Sequence, residues 1–303
     1  MAVRTVALIG RGAVGSLYAG LMAENVPERF IVAADADRIA RYRKEGFQAN
    51  GHALDLPYGV PEEPVDLVLI ATKFTALQDV LSLMRPLVGP NTIIVSLING
   101  ISSEDRLREA FGRDHVIRAI AQKMDARYTG QAVSWSTPGE IVIGAERTED
   151  EADVAAVAAF FEEAGIPYVI SSNIVKDQWS KLMVNCALNQ ISAAYDVPYG
   201  AFIENEEIRQ LFQETMKEVQ AVAEQQGIEI PDADLAMWQA SIDGYNPESM
   251  PSMRQDVLAG RRTEKELFSG TIVPLAHEAG IPVPHLEDLY RRICQIEEKM
   301  APN

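Results

Sequence analysis

A glycine-rich turn between a strand pattern and a helical pattern constrains the start of this chain more than any other feature. Thr5–Ile9 is a short β-branched and apolar run, and a helical pattern follows the turn as far as about Asn25. The turn itself is a G-x-G-x-x-G motif made of Gly10, Arg11, Gly12, Ala13, Val14 and Gly15. A strand buried on both faces, then this turn, then a helix is the context in which the motif is informative.

The three glycines of this motif predict a dinucleotide-binding site. Gly10 permits the tight turn, Gly12 lets the backbone approach a pyrophosphate, and Gly15 allows the helix to pack closely on the strand. The N–H groups at the start of the helix, at Ala13 and Val14, then face the phosphates. The alternative is an ordinary glycine turn.

An acidic residue follows the second strand pattern. Phe30–Ala34 ends in Asp35, twenty residues after Gly15. An acid at this place accepts hydrogen bonds from the adenosine ribose and repels a 2′-phosphate, so Asp35 favours NAD(H) over NADP(H). Asp37 adds negative charge nearby, whereas Arg38 would suit a phosphate. The alternative is that Asp35 only caps a helix beginning near Arg38.

Two further strand patterns lead to polar residues. Val65–Thr72 is followed by Lys73, and Thr92–Leu97 is followed by Asn99. Ligands of open parallel sheets lie off the carboxyl ends of the strands, so Lys73 and Asn99 are candidate site residues. Each could instead be a solvated loop residue. Alternation over residues 131–145 predicts antiparallel strands that complete the sheet.

The second half of the chain is helical in pattern. Strand patterns stop after Pro167–Ser171, and apolar stripes over 206–226 and about 285–300 predict helices. The sequence therefore predicts an α/β fold with two domains. Residues 1–168 form a Rossmann dinucleotide-binding domain, and residues 169–303 form a helical domain for substrate binding and catalysis. We expect the active site in the cleft between them.

Composition excludes several classes of function. The formal net charge is −17, which argues against nucleic-acid binding. Cys186 and Cys294 are the two cysteines, and no Cys/His cluster has metal-ligand spacing, so we expect no bound metal. No apolar run in the sequence approaches the length of a membrane span. We therefore expect a cytoplasmic protein acting on a small molecule.

A polar stripe interrupts the apolar segment WSKLMVNCALNQIS, residues 179–192. Lys181, Asn185 and Asn189 recur every four residues and would share one face of a helix. Burial near a cationic nicotinamide would lower the pKa of Lys181 into the range of a general acid. The alternative is a lysine whose ammonium reaches solvent from a surface helix.

This segment resembles the W-x-K-L-x-x-N-x-x-x-N pattern of the ketopantoate reductases, the 2-dehydropantoate 2-reductase family. Residues 251–264, PSMRQDVLAGRRTE, are similar to the family's SSM-x-QD…R-x-TE stretch. The glycine motif, Lys73 and Ile98-Asn99-Gly100 extend the likeness over nearly the whole chain. The resemblance implies a Rossmann domain joined to a helical domain of the 6-phosphogluconate dehydrogenase-like type.

The resemblance also implies roles for two catalytic residues. Lys181 matches the family's general acid, which protonates the ketone oxygen as hydride arrives at the carbon. Glu264 matches the acid that hydrogen-bonds in the same site. The alternative for Glu264 is a surface charge beside Arg261 and Arg262.

Binding roles follow from the same resemblance. Asn185 and Asn189 match amides that bind the substrate's hydroxyl groups, and Asn99 matches one that holds the substrate beside the nicotinamide. Ser252 matches a serine that binds the substrate carboxylate. Lys73 matches a lysine at the junction of cofactor and substrate.

The sequence departs from the family pattern at two positions. Many members carry an arginine that binds the 2′-phosphate of NADPH at the position where this chain has Asp35. The cofactor preference of this chain is therefore expected to be inverted towards NAD(H), and NADP(H), typical of the family, is the alternative. An asparagine usually stands three residues before the matched serine, where this chain has Ser249. Asn246 lies three residues further upstream, and Gln255-Asp256 sets the register at Ser252.

Three functions are consistent with these residues. The first is reduction of 2-dehydropantoate to (R)-pantoate, in the biosynthesis of pantothenate and coenzyme A. The second is an NAD-dependent (R)-2-hydroxyacid dehydrogenase of the same family, which Asp35 fits well. The third is a non-catalytic dinucleotide sensor, against which the retained polar set argues. Helical second domains of this kind often form homodimers, but no apolar stripe in the sequence identifies an interface.

Overall fold

The chain forms two compact units in the computed structural model, which describes residues 2–300. Unit 1 comprises residues 2–99 and 103–175, and unit 2 comprises residues 100–102 and 176–300. Every strand described below lies in unit 1. The expected fold class, an α/β domain joined to a helical one, is confirmed.

The strands of unit 1 follow the apolar runs of the sequence. They are β1 (Val6–Ile9), β2 (Phe30–Ala33), β3 (Gln48–Ala49), β4 (His52–Ala53), β5 (Tyr58–Gly59), β6 (Leu67–Ile70), β7 (Ile93–Ser96), β8 (Val116–Met124), β9 (Arg127–Tyr128), β10 (Ala132–Ser134), β11 (Pro138–Gly144) and β12 (Tyr168–Ile170). The four strands predicted individually, β1, β2, β6 and β7, are confirmed to within two residues at each end. All residues of β1, β6 and β7 are buried, as expected for parallel strands covered on both faces.

The main sheet has eight strands in the order β12-β11-β8-β7-β6-β1-β2-β5. β1 pairs in parallel with both β2 and β6, with Val6 opposite Phe30 and Leu67. The chain moves from β1 to β2 on one side and later to β6 on the other side. The order of the strands therefore reverses beside β1, and the carboxyl ends of β1 and β6 border the crevice where ligands of such sheets bind.

Residues 131–145 complete two different sheets, whereas the sequence predicted one. β11 pairs antiparallel with β8 in the main sheet, as expected. β10 instead joins a separate four-stranded sheet in the order β4-β3-β10-β9, where it pairs in parallel with β3. The small strands β3, β4 and β9 have two residues each, too few for the alternation of side chains to be recognised in the sequence.

The helices alternate with the strands in unit 1 and then follow one another. They are α1 (Ala13–Asn25), α2 (Ala36–Glu45), α3 (Leu77–Met84), α4 (Ser102–Phe111), α5 (Glu151–Glu163), α6 (Ile174–Tyr195), α7 (Tyr199–Glu204), α8 (Glu206–Gln225), α9 (Asp232–Asp243), α10 (Ser252–Leu258), α11 (Ser269–Ala279) and α12 (Pro284–Met300).

The division between the units falls within the first turn of α6. The sequence places the domain border after residue 168, but β12 pairs in parallel with β11 and so belongs to unit 1. Ile174 packs against Ile120 and Val142 of the main sheet. The contacts that define unit 1 therefore extend as far as Val175.

Unit 2 contains the segment with the polar stripe, at the centre of α6. At the centre of this helix, apolar side chains are buried on all sides, among them Leu182, Met183, Cys186 and Ile191. α8 buries the predicted stripe except for Leu211, which is half-buried, and ends before Gly227, whose φ is +75°. These helices are held by tertiary packing and not by local preference alone.

Candidate functional site

The glycine loop of unit 1 has no room for a side chain at its first and last glycines, whereas the middle glycine faces open space. Gly10 has φ +110°, and a Cβ there would lie 2.4 Å from the carbonyl oxygen of Ala71. A Cβ on Gly15 would lie 2.1 Å from the carbonyl oxygen of Gly10. A Cβ on Gly12 would meet no atom within 4 Å. The backbone at Gly12 is therefore accessible to a ligand, as the sequence predicts for a pyrophosphate.

The residues around this loop fit a dinucleotide. α1 begins at Ala13 without a side-chain cap, so its first N–H groups are available to an anion. Two buried hydroxyl oxygens nearby, Ser16 Oγ in the first turn and Thr72 Oγ1 after β6, have no hydrogen-bond partner among residues 2–300. Buried polar atoms normally have partners, so these two hydroxyls suit a polar ligand at the crevice.

Arg11, inside the glycine motif, is a structural residue that the sequence pattern does not reveal. Its guanidinium is fully buried and stacks over the ring of Tyr42, 4.2 Å from the centroid. It donates hydrogen bonds to the hydroxyls of Tyr58 (2.9 Å) and Tyr128 (3.3 Å) and pairs with Glu45 at 3.0 Å. Arg11 therefore ties the glycine loop to α2, β5 and β9.

Asp35 occupies the end of β2 as expected and also caps α2. Its Oδ1 accepts a hydrogen bond from the backbone N–H of Arg38 at 2.8 Å, so the capping alternative is realised in the structure. Its Oδ2 lies 3.4 Å from the Arg38 guanidinium, and its side chain is 53% exposed. A capping carboxylate with this exposure can still accept a hydrogen bond from a ligand.

Lys73 and Asn99 follow adjacent parallel strands, as the sequence predicted. Lys73 comes three residues after β6 and is exposed, and Asn99 comes three residues after β7 and is half-buried. Both therefore lie at the carboxyl edge of the main sheet, together with the glycine loop. Their roles toward cofactor and substrate stay predictions.

In unit 2, two members of the polar stripe of α6 are hydrogen-bonded to each other. The amide nitrogen of Asn189 donates a hydrogen bond to the side-chain oxygen of Asn185 at 3.2 Å. Asn189 is buried, and Asn185 and Lys181 are half-buried. The spacing of four residues brings these side chains together on one face, as predicted.

Ser252 is joined to this row through Asn189. The Ser252 hydroxyl and the backbone N–H of Met253 both donate to the side-chain oxygen of Asn189, each at 3.2 Å. α10 begins at Ser252 after Pro251, which supplies no side-chain cap. Asn189 therefore does for α10 what a side-chain cap normally does.

Lys181 and Glu264 form the electrostatic pair of the site. Burial lowers the pKa of Lys181 to about 8, and the negative charge of Glu264 partly opposes that shift. Glu264 is half-buried. The neighbouring Arg261 pairs with Asp256 at 2.7 Å.

The structure thus places the predicted residues in two sets. Lys181, Asn185, Asn189, Ser252 and Glu264 are together in unit 2, where they offer an acid and neutral polar groups. The glycine motif, Asp35, Lys73 and Asn99 are together in unit 1. Such an acid near amides and a hydroxyl can protonate and orient a polar carbonyl compound.

Residues 2–300 offer neither a cluster of metal-ligating side chains nor a membrane-spanning helix. In that part of the chain, no three His, Cys, Asp or Glu side chains are grouped closely enough to hold a metal ion. No helix there combines the length and the apolar character needed to cross a bilayer.

Comparison with known proteins matches both units. The family model described as "Ketopantoate reductase PanE/ApbA" matches residues 6–147, and the one described as "Ketopantoate reductase PanE/ApbA C terminal" matches residues 173–297. A 2-dehydropantoate 2-reductase of Pyrococcus abyssi is 29% identical over 91% of this chain and 92% of its own.

Solved structures give the same match. The crystal structure of a PanE/ApbA family ketopantoate reductase from Ralstonia eutropha is 30% identical, has a TM-score of 0.85, and is covered over 99% of its chain by 98% of this one. A ternary structure of D-mandelate dehydrogenase with NADH and anilino(oxo)acetate shares the fold at a TM-score of 0.88 and 23% identity, covering 98% of this chain and 99% of that one. These matches confirm the resemblance predicted from the motifs, and the chain belongs to the ketopantoate reductase PanE/ApbA family.

Proposed function

We propose that this chain reduces 2-dehydropantoate to (R)-pantoate with a hydride from a nicotinamide cofactor, a step toward pantothenate and coenzyme A. The observation that carries the proposal is the arrangement of Lys181, Asn185 and Asn189 along α6 with Glu264 acting on the lysine. The family consists of NAD(P)-dependent oxidoreductases that act on a CH–OH group, and the curated relative from Pyrococcus abyssi is a 2-dehydropantoate 2-reductase.

Lys181 is the proton donor of the proposed reaction. A bound nicotinamide supplies a hydride to C2 of the substrate, and the ketone oxygen then needs one proton to become the alcohol. With a pKa of about 8, Lys181 is largely protonated at neutral pH yet acidic enough to give up its proton. Glu264 stabilises the protonated form and orients it.

The neutral polar groups beside Lys181 select the substrate in this proposal. Asn185 and Asn189 bind the hydroxyl group that distinguishes 2-dehydropantoate from simpler 2-oxo acids. Ser252 binds the carboxylate, and Asn99 and Lys73 serve at the junction with the nicotinamide. A site built to bind a hydroxyl rejects analogues without it, because its polar groups would remain unpaired.

We also propose that the preferred cofactor is NAD(H). The position and exposure of the Asp35 carboxylate support this, since a negative charge at the end of β2 repels a 2′-phosphate. NADP(H), typical of much of the family, is the alternative, with Arg38 beside Asp35 as a partner for that phosphate.

A second candidate function is an NAD-dependent (R)-2-hydroxyacid dehydrogenase acting on branched or aromatic 2-oxo acids. Asp35 is the observation that favours it, because this class uses NAD. The two asparagines on α6 favour the first candidate, since simple 2-oxo acids carry no hydroxyl for them to bind.

Initial rates distinguish these candidates. We would measure kcat/KM for 2-dehydropantoate, 2-oxoisovalerate and phenylglyoxylate, each with NADH and with NADPH. We expect the highest value for 2-dehydropantoate with NADH. A higher value for either of the other acids contradicts the proposed substrate, and a preference for NADPH contradicts the proposed role of Asp35.

Assembly and location stay predictions from the sequence. Helical second domains of this kind often form homodimers, so a homodimer is the assembly to test, by light scattering after size-exclusion chromatography, and the composition favours a cytoplasmic location.

A further inference from the structure

Glu264 lies in the segment of residues 261–266, and a single carboxylate, that of Glu297 in α12, binds the residues on both sides of it. The backbone N–H of Thr263 and its hydroxyl donate to Oε1 of Glu297 at 2.8 and 2.6 Å. The ammonium of Lys265 donates to Oε2 of Glu297 at 2.7 Å. Glu297 therefore binds the residue before Glu264 and the residue after it.

Tyr290, also in α12, binds the next residue of the segment, Glu266. The Tyr290 hydroxyl donates to the carboxylate of Glu266, at 2.9 Å to one oxygen and 3.2 Å to the other. Tyr290 and Glu297 are seven residues apart in α12, which places them on one face two turns apart. This face of α12 contacts Thr263, Lys265 and Glu266.

The ion pair within this contact is largely withdrawn from solvent. The side chains of Lys265 and Glu297 are 13% and 12% exposed. Burial alone would raise the pKa of Glu297, but hydrogen bonds from Lys265 and Thr263 outweigh it and lower the pKa. Glu297 is therefore ionised at neutral pH, and charge-assisted hydrogen bonds of this kind are stronger than neutral ones.

The other end of the segment is anchored independently. Arg261 donates to Asp256 of α10 at 2.7 Å, and its backbone N–H donates to the Asp256 carbonyl at 2.8 Å. Glu264 itself lies between the two anchors, and its carbonyl accepts from the N–H of Leu267 at 2.9 Å. The position of the Glu264 carboxylate thus depends on contacts made by its neighbours.

We propose that Glu297 is a positioning residue for catalysis, which fixes the backbone at Thr263 and Lys265 so that the Glu264 carboxylate stays in place to act on Lys181. The inference rests on the proposed function, in which Lys181 is the proton donor. Small displacements of catalytic groups are costly, since an error of about 1 Å can reduce a rate about 100-fold.

Two substitutions and one matched control test this proposal. Glu297→Ala removes every contact that Glu297 makes with the segment. Glu297→Gln keeps an acceptor for Thr263 and removes the charge that binds Lys265. Glu298→Gln is the control, because it changes the net charge by the same amount at the next, exposed position.

The first readout is the pKa of the Lys181 amine in the protein without cofactor or substrate. It is followed by NMR of ¹³C-methylated lysines, with the Lys181 signal assigned through Lys181→Arg. We expect a value near 8 in the unsubstituted protein. Displacement of the Glu264 charge in Glu297→Ala should lower it further, since that charge raises it, and Glu298→Gln should leave it unchanged.

The second readout is the rate of 2-dehydropantoate reduction. We expect kcat to fall about 10-fold or more in Glu297→Ala and less in Glu297→Gln, with the Kd for NADH within about 2-fold of the starting value. At temperatures below the unfolding midpoint, a loss of folding stability alone would not change the pKa of Lys181. If Glu297→Ala does not fold, Glu297→Gln and Lys265→Gln carry the test, with the same direction expected in each.

The outcomes separate the inference from the function on which it rests. An unchanged pKa of Lys181 together with an unchanged kcat in the Glu297 variants would overturn the positioning role. A lowered pKa of Lys181 in Glu297→Ala, in a protein that does not reduce 2-dehydropantoate, would support the positioning of Glu264 and refute the proposed substrate.

Discussion

The side-chain oxygen of Asn189 accepts hydrogen bonds from both the hydroxyl of Ser252 and the backbone N–H of Met253, each at 3.2 Å. One amide on α6 thus caps α10 and orients the serine at its start. Its amide nitrogen at the same time donates to Asn185. The substrate contacts proposed for Asn185, Asn189 and Ser252 are therefore coupled through the hydrogen bonds of one amide.

Substitution of Asn189 should reduce both stability and substrate affinity. In Asn189→Ala we expect the free energy of unfolding to fall by about 1–2 kcal/mol, because a buried acceptor and a cap are lost. The KM for 2-dehydropantoate should rise several-fold, because Ser252 loses its orientation. Urea unfolding and initial rates measure the two effects.

A matched control for this variant is available on α8. Asn205 caps that helix by accepting from the N–H groups of Glu207 and Ile208. Asn205→Ala should lose about 1 kcal/mol of stability and keep the original KM. Equal KM values in Asn189→Ala and Asn205→Ala would contradict the role of Asn189.

Removal of the charge on Asp35 should weaken discrimination between the cofactors. Asp35→Asn keeps an oxygen that can accept from the Arg38 N–H, so the cap of α2 is retained while the repulsion of a 2′-phosphate is lost. We expect the ratio of kcat/KM for NADH over that for NADPH to fall about 10-fold. Asp37→Asn, in the first turn of the same helix, should change the ratio much less.

The activity should depend on the protonation of Lys181. Because reduction uses the protonated amine in the proposed mechanism, kcat/KM for 2-dehydropantoate should be level below pH 8 and fall as the pH rises above it. The reverse oxidation needs the neutral amine, so its rate should rise over the same range. A profile of reduction that stays level to pH 10 would contradict the general-acid role.

The same lowered pKa has a consequence for folding. Lys181 has an ordinary pKa of 10.5 in the unfolded chain and about 8 in the folded protein. Between these values the unfolded chain holds the proton more tightly, so this group makes stability increase with pH. In Lys181→Met that contribution should vanish, and the reduction rate should fall at least about 100-fold. Unfolding midpoints at pH 7.5 and 10 compare the two proteins.

Arg11 should be needed to shape the glycine loop. Arg11→Met leaves Glu45 and the Tyr58 and Tyr128 hydroxyls without their buried partner, which should cost about 3 kcal/mol of stability and raise the Kd for NADH. Fluorescence titration with NADH measures the affinity. Arg41→Met is the control, because exposed Arg41 also contacts Glu45 and Tyr42.

The sequence predicted those elements of the fold whose structure depends mainly on residues close together in the chain. The glycine motif and the apolar runs of β1, β6 and β7 depend on neighbours along the chain, and they were placed to within two residues. The row of Lys181, Asn185 and Asn189 follows from helical spacing alone. The pairing of β10 with β3 depends on residues more than 80 positions apart and has no local signature.

The contacts that Arg11 and Glu297 make around the site could not be predicted from local patterns. Arg11 lies within a motif associated with phosphate, yet it points to Tyr58 and Tyr128, which are distant in the sequence. Glu297 is one of several acids in an amphipathic helix, and nothing in the spacing separates it from exposed Glu298. Long-range contacts of this kind need the structure to be recognised.

The most direct test of the central claim compares two substrates that differ by a single hydroxyl. In 3,3-dimethyl-2-oxobutanoate, a methyl group replaces the hydroxymethyl group of 2-dehydropantoate. If the amides of α6 bind that hydroxyl, kcat/KM with NADH should be at least about 100-fold higher for 2-dehydropantoate. Equal values for the two acids, or a higher value for the analogue, would contradict the proposal that this chain is a 2-dehydropantoate reductase.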